Sequence, residues 1–164
     1  LSGVAKNRIS AKTIINIILK MTDKSKELNS IIKLVNNKLH FTGSVDNNDP
    51  VSIDYMTPLG DDLGYTSLEL FLLSFSSCLG SAILIFLRRI NKTITNFEIH
   101  SNGQRREEHP TGFKSIHLDI KLTSSDSTEE DLKKVIALAE DKYCPVWSMI
   151  KGNTTVEINV VISK

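Results

Sequence analysis

Two thiols, Cys78 and Cys144, are the groups in this 164-residue chain best suited to forming and breaking covalent bonds. A cysteine acts as its thiolate, so what surrounds the sulfur decides whether it reacts or merely packs. The two are far apart and make neither a Cys-x-x-Cys motif nor the paired spacing of a zinc site, so neither a metal nor another cofactor is expected. Cys144 directly precedes Pro145, a residue suited to the first position of a helix. Its sulfur should then sit near the positive end of a helix dipole and ionise more easily. Cys78 lies in the middle of LFLLSFSSCLGSAILIFLRR, Leu70 to Arg89, of which Leu70 to Leu87 carry no charge. There it needs a neighbour brought in by the fold to hold it as a thiolate, since burial favours the neutral thiol. Packing as a small apolar filler is the plainer alternative for this position.

The uncharged run must be a helix, capped by Thr66 or Ser67 and ended near Arg88-Arg89, where cations suit the negative end of the dipole. It falls at the short end of what spans a bilayer, about 20 residues. The one-sided elements on both flanks need an apolar partner, and this helix is the segment able to supply it. No membrane span is therefore expected, but a buried central helix, covered on one face by a second copy of the chain. Ser74, Ser77, Cys78 and Ser81 fall along one stripe of it.

Around this helix the periodicities alternate. SIIKLVNNKLHFTGSV from Ser30 reads as two strands turned at Asn36-Asn37, a pair that tolerates positive φ. DNNDP and then VSIDYM continue the meander, and PLGDDLGY is a loop. FEIHS and FKSIHLDIKL are strands with one wet face, the second carrying Ile116, Leu118, Ile120 and Leu122 in alternation. Ser127 and Glu130 have capping-box spacing ahead of an amphipathic helix running to Tyr143; a short helix PVWSMIK and a last strand TTVEINVVI follow. His100, His109 and His117 read as surface residues.

Length and composition, with 40% hydrophobic and 24% charged residues, point to one globular domain. Residues 1–40 carry a balance of +6 against −5 for the remainder. Residues 1–29 read as an appended basic extension with a helix over Ser10 to Lys20, solvated and not a nucleic-acid arm. Asn16 interrupts the only apolar run near the start that could serve as an export signal. A cytoplasmic location is expected, where thiols stay reduced and any disulfide is transient and chemical.

Three segments in order, SLELFLLSFSSC (Ser67 to Cys78), QRREEHPTGFKSIHLDIKL (Gln104 to Leu122) and DKYCPVWSMIKGN (Asp141 to Asn153), resemble the OsmC/Ohr-like proteins, more closely their less characterised OsmC-like branch. The likeness spans residues 30–164. It implies an α+β fold built as an intertwined homodimer, with antiparallel sheets wrapped around long central cysteine-bearing helices. It also implies oxidative-stress chemistry of a peroxiredoxin-like kind. Cys78 matches the cysteine that attacks an organic hydroperoxide and becomes a sulfenic acid, and Cys144 the one that resolves it to a disulfide, which a dithiol reductant then opens. The best-understood members place a glutamate ten residues before the attacking cysteine, where this chain has Leu68, with Glu69 one step later. They also place an arginine in the N-terminal strands, whereas none occurs here between Arg8 and Arg88. Glu69, Arg105, Arg106 and Glu107, with Glu108, are the candidate substitutes.

Two functions follow from this pattern. One is a thiol peroxidase of the organic hydroperoxide reductase type. The other is a non-catalytic dimeric binding module whose apolar interfacial cavity holds a ligand without turning it over.

Overall fold

The computed structural model describes residues 27–164. The helix expected over Ser10 to Lys20, and nearly all of the 1–29 extension, lie outside the described residues. The chain separates into two compact units, Leu1–Gly64 and Tyr65–Lys164.

In the first unit β1 (Ser30–Leu34), β2 (Phe41–Val45) and β3 (Val51–Ile53) form an antiparallel meander. Its first turn differs from the expectation. Among the described non-glycine residues positive φ occurs at Asp46, Asp62 and Asn91, and at neither Asn36 nor Asn37. Asn36 instead uses its side-chain oxygen to accept the Lys38 N–H at 2.9 Å, a local turn that needs no left-handed residue. β3 stops at Ile53 because Asp54, 1% exposed, gathers the N–H groups of Tyr55, Asp61 and Leu63 at 2.8, 3.0 and 3.1 Å. Burial would raise this carboxyl, but those backbone donors outweigh it and hold it below its ordinary range. Gly43 lies bare between Ile32 and Ile53, whose Cδ1 atoms would each stand 3.1 Å from a Cβ there. It helps form a surface trough of about 360 Å³ lined also by Val45 and Val51.

The second unit begins with α1 (Ser67–Arg89). Thr66 caps it in a reciprocal box with Glu69, and Asn91, at φ 61°, turns the chain away beyond its C-terminus. α1 is the one helix among the described residues long and apolar enough to cross a membrane. Its Phe75, Leu79, Ile83 and Leu87 are wholly buried, and they share one core with Ile116, Leu118 and Ile120 of the sheet. At Gly80 the helix comes so close to the sheet that a Cβ would lie 3.1 Å from the Phe97 ring and 3.3 Å from Ile99.

β4 (Asn96–Arg105), β5 (Phe113–Thr123) and β6 (Thr155–Ser163) make the second sheet in that order. The alternation of β5 is as the sequence predicts, with Ile116, Leu118, Ile120 and Leu122 inside and His117 and Lys121 outside. The fold is α+β, with one correction: β5 and β6 pair in parallel, Ser115 to Thr155 through Thr123 to Ser163. The long connection between them holds α2 (Glu129–Leu138), a π-helical turn (Ala139–Tyr143) and α3 (Pro145–Ile150), and such a crossover returns the chain to run in the same direction. The cap of α2 is also shifted by one residue. Thr128 and Asp131 make the box, while Ser127 is buried and its Oγ is held by the Ser124 hydroxyl at 2.7 Å. Lys92 then reaches from the end of α1 to Asp131 at 2.8 Å. Lys92 and the Thr128 cap lower the Asp131 carboxyl to about 2.

Candidate functional site

The helical hydrogen bonding of α2 widens before it reaches Cys144. Sequence periodicity carries an α-helix to Tyr143, but Pro145 disfavours the α conformation at the residue before it, and Cys144 is extended at φ −107° and ψ 94°. Its N–H reaches back to Ala139 O at 2.9 Å, closing the π-helical turn. From this position Cys144 caps α3, its sulfur accepting the Trp147 N–H at 3.4 Å. Trp147 is fixed in turn by an edge-on contact with Phe75 of α1, ring centroids 5.6 Å apart. Sequence reasoning passed over Trp147; the signal available for it was its place three residues after a cysteine that precedes proline.

That arrangement brings the two thiols together. The Cys144 S–H donates to the Cys78 sulfur with the sulfurs 2.8 Å apart, across 66 positions of sequence. Both cysteines are free, and the separation exceeds the roughly 2.05 Å of a disulfide. They differ in access, Cys144 being 2% exposed and Cys78 half-buried. The expected easing of Cys144 ionisation by the helix start is corrected. Burial pushes its thiol up, and the hydrogen bond with Cys78 pushes further, to about 12, against the downward pull of the Trp147 and Val146 N–H groups. A helix of six residues offers little dipole to oppose desolvation. Cys144 therefore holds its proton at neutral pH, as its role of donor requires.

The charged candidates are engaged elsewhere. Glu69 spends one carboxylate oxygen on the Thr66 N–H at 2.7 Å and the Thr66 hydroxyl at 2.9 Å, and the backbone bond chiefly holds its carboxyl below the ordinary range. Arg105 donates to the Thr111 carbonyl at 2.8 Å and to the Thr111 hydroxyl. Arg106 donates to the Asn153 carbonyl at 2.6 Å and its side-chain oxygen at 3.0 Å, tying β4's end to the turn before β6. With Glu107, Glu108, Gln104 and Lys114 they line an open surface cavity of about 340 Å³ that neither cysteine borders. Among the described residues the polar partner of the Cys78 sulfur is Cys144, and no carboxylate or guanidinium bonds to it. His100 pairs with Glu98 at 3.0 Å and His117 with Asp119 at 3.3 Å on the wet face of the second sheet. The described residues hold no group of three or more histidine, cysteine or carboxylate side chains arranged to bind a metal ion.

On α1, Ser74, Ser77 and Ser81 face outward with Leu73, which is 51% exposed, and Cys78 lies at the edge of this strip. The Ser77 hydroxyl turns back to the Ser74 carbonyl at 3.0 Å. Within the second unit the small-residue stripe is thus an open surface.

Comparison with known proteins bears on the same segments. The profile of the family described as OsmC-like protein matches residues 60–159. Protein YhfA of Escherichia coli K12 is 24% identical over 90 residues, covering 55% of this chain and 67% of YhfA. Several solved structures share the fold. The OsmC-like protein of Mycoplasma pneumoniae aligns with a TM-score of 0.71 at 18% identity, covering 87% of this chain and 99% of that one. The organic hydroperoxide resistance protein OhrB of Bacillus subtilis gives 0.58 at 17% identity, covering 82% and 98%.

Proposed function

Because the chain belongs to the OsmC-like protein family, we propose that it is a thiol-dependent redox protein that reduces small organic hydroperoxides. The observation that carries this reading is the 2.8 Å separation of the two sulfurs, one half-buried and one buried. Cys78, as thiolate, attacks the distal oxygen of the hydroperoxide; an S–O bond forms, the O–O bond breaks, and the alkoxide leaves as the alcohol after taking a proton. The Cys144 sulfur then displaces hydroxide from the Cys78 sulfenic acid, its proton leaving with that hydroxide as water, and a disulfide remains. An external dithiol regenerates both thiols and is itself oxidised. Reaching bonding distance takes less than an ångström of sulfur movement from 2.8 Å toward roughly 2.05 Å. The hydroperoxide resistance named for the Bacillus subtilis protein of the same fold supports the substrate class.

The working molecule in this reading is a cytoplasmic homodimer. The open α1 face with Leu73 and the exposed Ile31, Ile32 and Leu34 of β1 are apolar surfaces that a second copy would cover. Adding one equivalent of cumene hydroperoxide should remove both titratable thiols per chain and give a Cys78–Cys144 peptide on mapping. Two thiols left intact across a panel of alkyl and aryl hydroperoxides would exclude the peroxidase reading.

One observation favours the alternative of a non-catalytic dimeric binding module. Glu69 is held in its helix cap, and no charged group bonds to Cys78 among the described residues. In that case variants with serine at both positions keep full function in the cell.

A further inference from the structure

We propose that Cys78 and Cys144 together form a chelating site for trivalent organoarsenicals, with Cys78 as the entry thiol. This needs the sulfur pair but none of the hydroperoxide chemistry. Soft thiolate ligands select soft centres, and what distinguishes one soft centre from another is the number of ligands and their geometry. A tetrahedral zinc ion wants four protein ligands in a structural site and three in a catalytic one. The described residues offer no cluster of three. A linear two-coordinate ion would drive the sulfurs to opposite sides of itself, whereas here they lie side by side at 2.8 Å. Trivalent arsenic that carries its own organic substituent is pyramidal and needs just two adjacent sulfurs.

Access sets the order of events. Cys78 is half-buried and meets the arsenical first; Cys144, 2% exposed, closes the ring. In the hydrated form, R–As(OH)₂, each step breaks one As–O bond and makes one As–S bond. The thiol proton leaves with the departing hydroxide as water, so arsenic stays trivalent and nothing is oxidised or reduced. Because the proton departs with that hydroxide, ring closure does not require Cys144 to ionise beforehand, which suits a thiol raised to about 12. Closing the second bond within one molecule multiplies the affinity of the first by a large effective concentration.

The test treats the full-length protein with one equivalent of phenylarsine oxide and follows intact mass, free thiols and the fluorescence of the chain's single tryptophan, Trp147, whose N–H bonds the Cys144 sulfur. The expected result is one adduct per chain, loss of both titratable thiols and a fluorescence change. Stripping the adduct should need about a hundredfold more glutathione than from Cys144→Ser, which keeps an oxygen to cap α3 but holds arsenic by one sulfur. Cys78→Ser should leave the buried Cys144 unlabelled on the same time scale. The proposal is overturned if glutathione strips the wild type and Cys144→Ser equally, if both thiols remain titratable, or if Cys78→Ser reacts as fast as the wild type. A protein inert to hydroperoxides yet showing the hundredfold difference would uphold this site and defeat the redox reading; the reverse pair of results would do the opposite.

Discussion

The two sheets of this molecule both carry branched apolar residues and end in different environments. In β5, Ile116, Leu118 and Ile120 are fully buried, joined in one core with side chains of α1 and α2 from their own unit. In β1, Ile31, Ile32 and Leu34 are 57%, 55% and 59% exposed, because no helix among the described residues of the first unit supplies a second layer. A sheet with an apolar face is stable only when something covers it. The second unit therefore carries its own core, with Cys144 in it and Cys78 packed against it, while the first unit presents apolar surface that its own described residues leave uncovered.

Substitutions on either side sharpen that contrast. Ile120→Ala empties a fully buried site and should lower unfolding stability by about 2–5 kcal/mol in urea titrations. A loss near zero would mean that the second unit is not closed in solution. Thr128→Ala removes the hydroxyl that caps α2 and that is one of the donors to Asp131, at a cost of about 1 kcal/mol read by the same method. Ile32→Ala at high dilution should change stability by no more than about 0.5 kcal/mol, as for a surface position. The effect should grow with protein concentration where a second copy covers β1, and Ile32→Lys should then shift sedimentation toward the single chain. Acid gives the most local effect. The Asp131 carboxyl is lowered from 3.8 to about 2 in the folded protein, so its bonds with Lys92 and Thr128 are intact above 3.8 and fail as pH falls toward 2. Amide exchange at the start of α2 should rise in that window for the wild type, and Asp131→Asn should show the raised exchange without the pH step.

What could be read in advance was what local chemistry determines. The uncharged run, a cap at Thr66 or Ser67 and the alternation of β5 are properties of neighbouring residues, and each appears in the structure, the cap at Thr66. The misses all depend on distant groups or on competition between local signals. Asn36 could bend the chain by its side chain or by its backbone, and only the loop around it decides which. Ser127 loses the cap to Thr128 because Ser124 holds it inside. β6 pairs in parallel with β5, which no pattern within TTVEINVVI could reveal. At the site, the dipole rule spoke for Cys144 as an easily ionised thiol, while burial and the Cys78 contact, set by packing between α1 and the crossover, have the larger effect. The meeting of the two sulfurs was implied by family resemblance, not by spacing.

In the proposed cycle Cys78 attacks and Cys144 resolves. Its most direct test is dimedone labelling of the Cys144→Ser protein after one equivalent of cumene hydroperoxide, with peptide mapping of the adduct. A stable sulfenic acid trapped on Cys78 is expected in that variant, with no adduct on the wild type, which will have closed its disulfide. A Cys144→Ser protein that takes no label, or a Cys78→Ser protein labelled on Cys144 at the same rate, would contradict it.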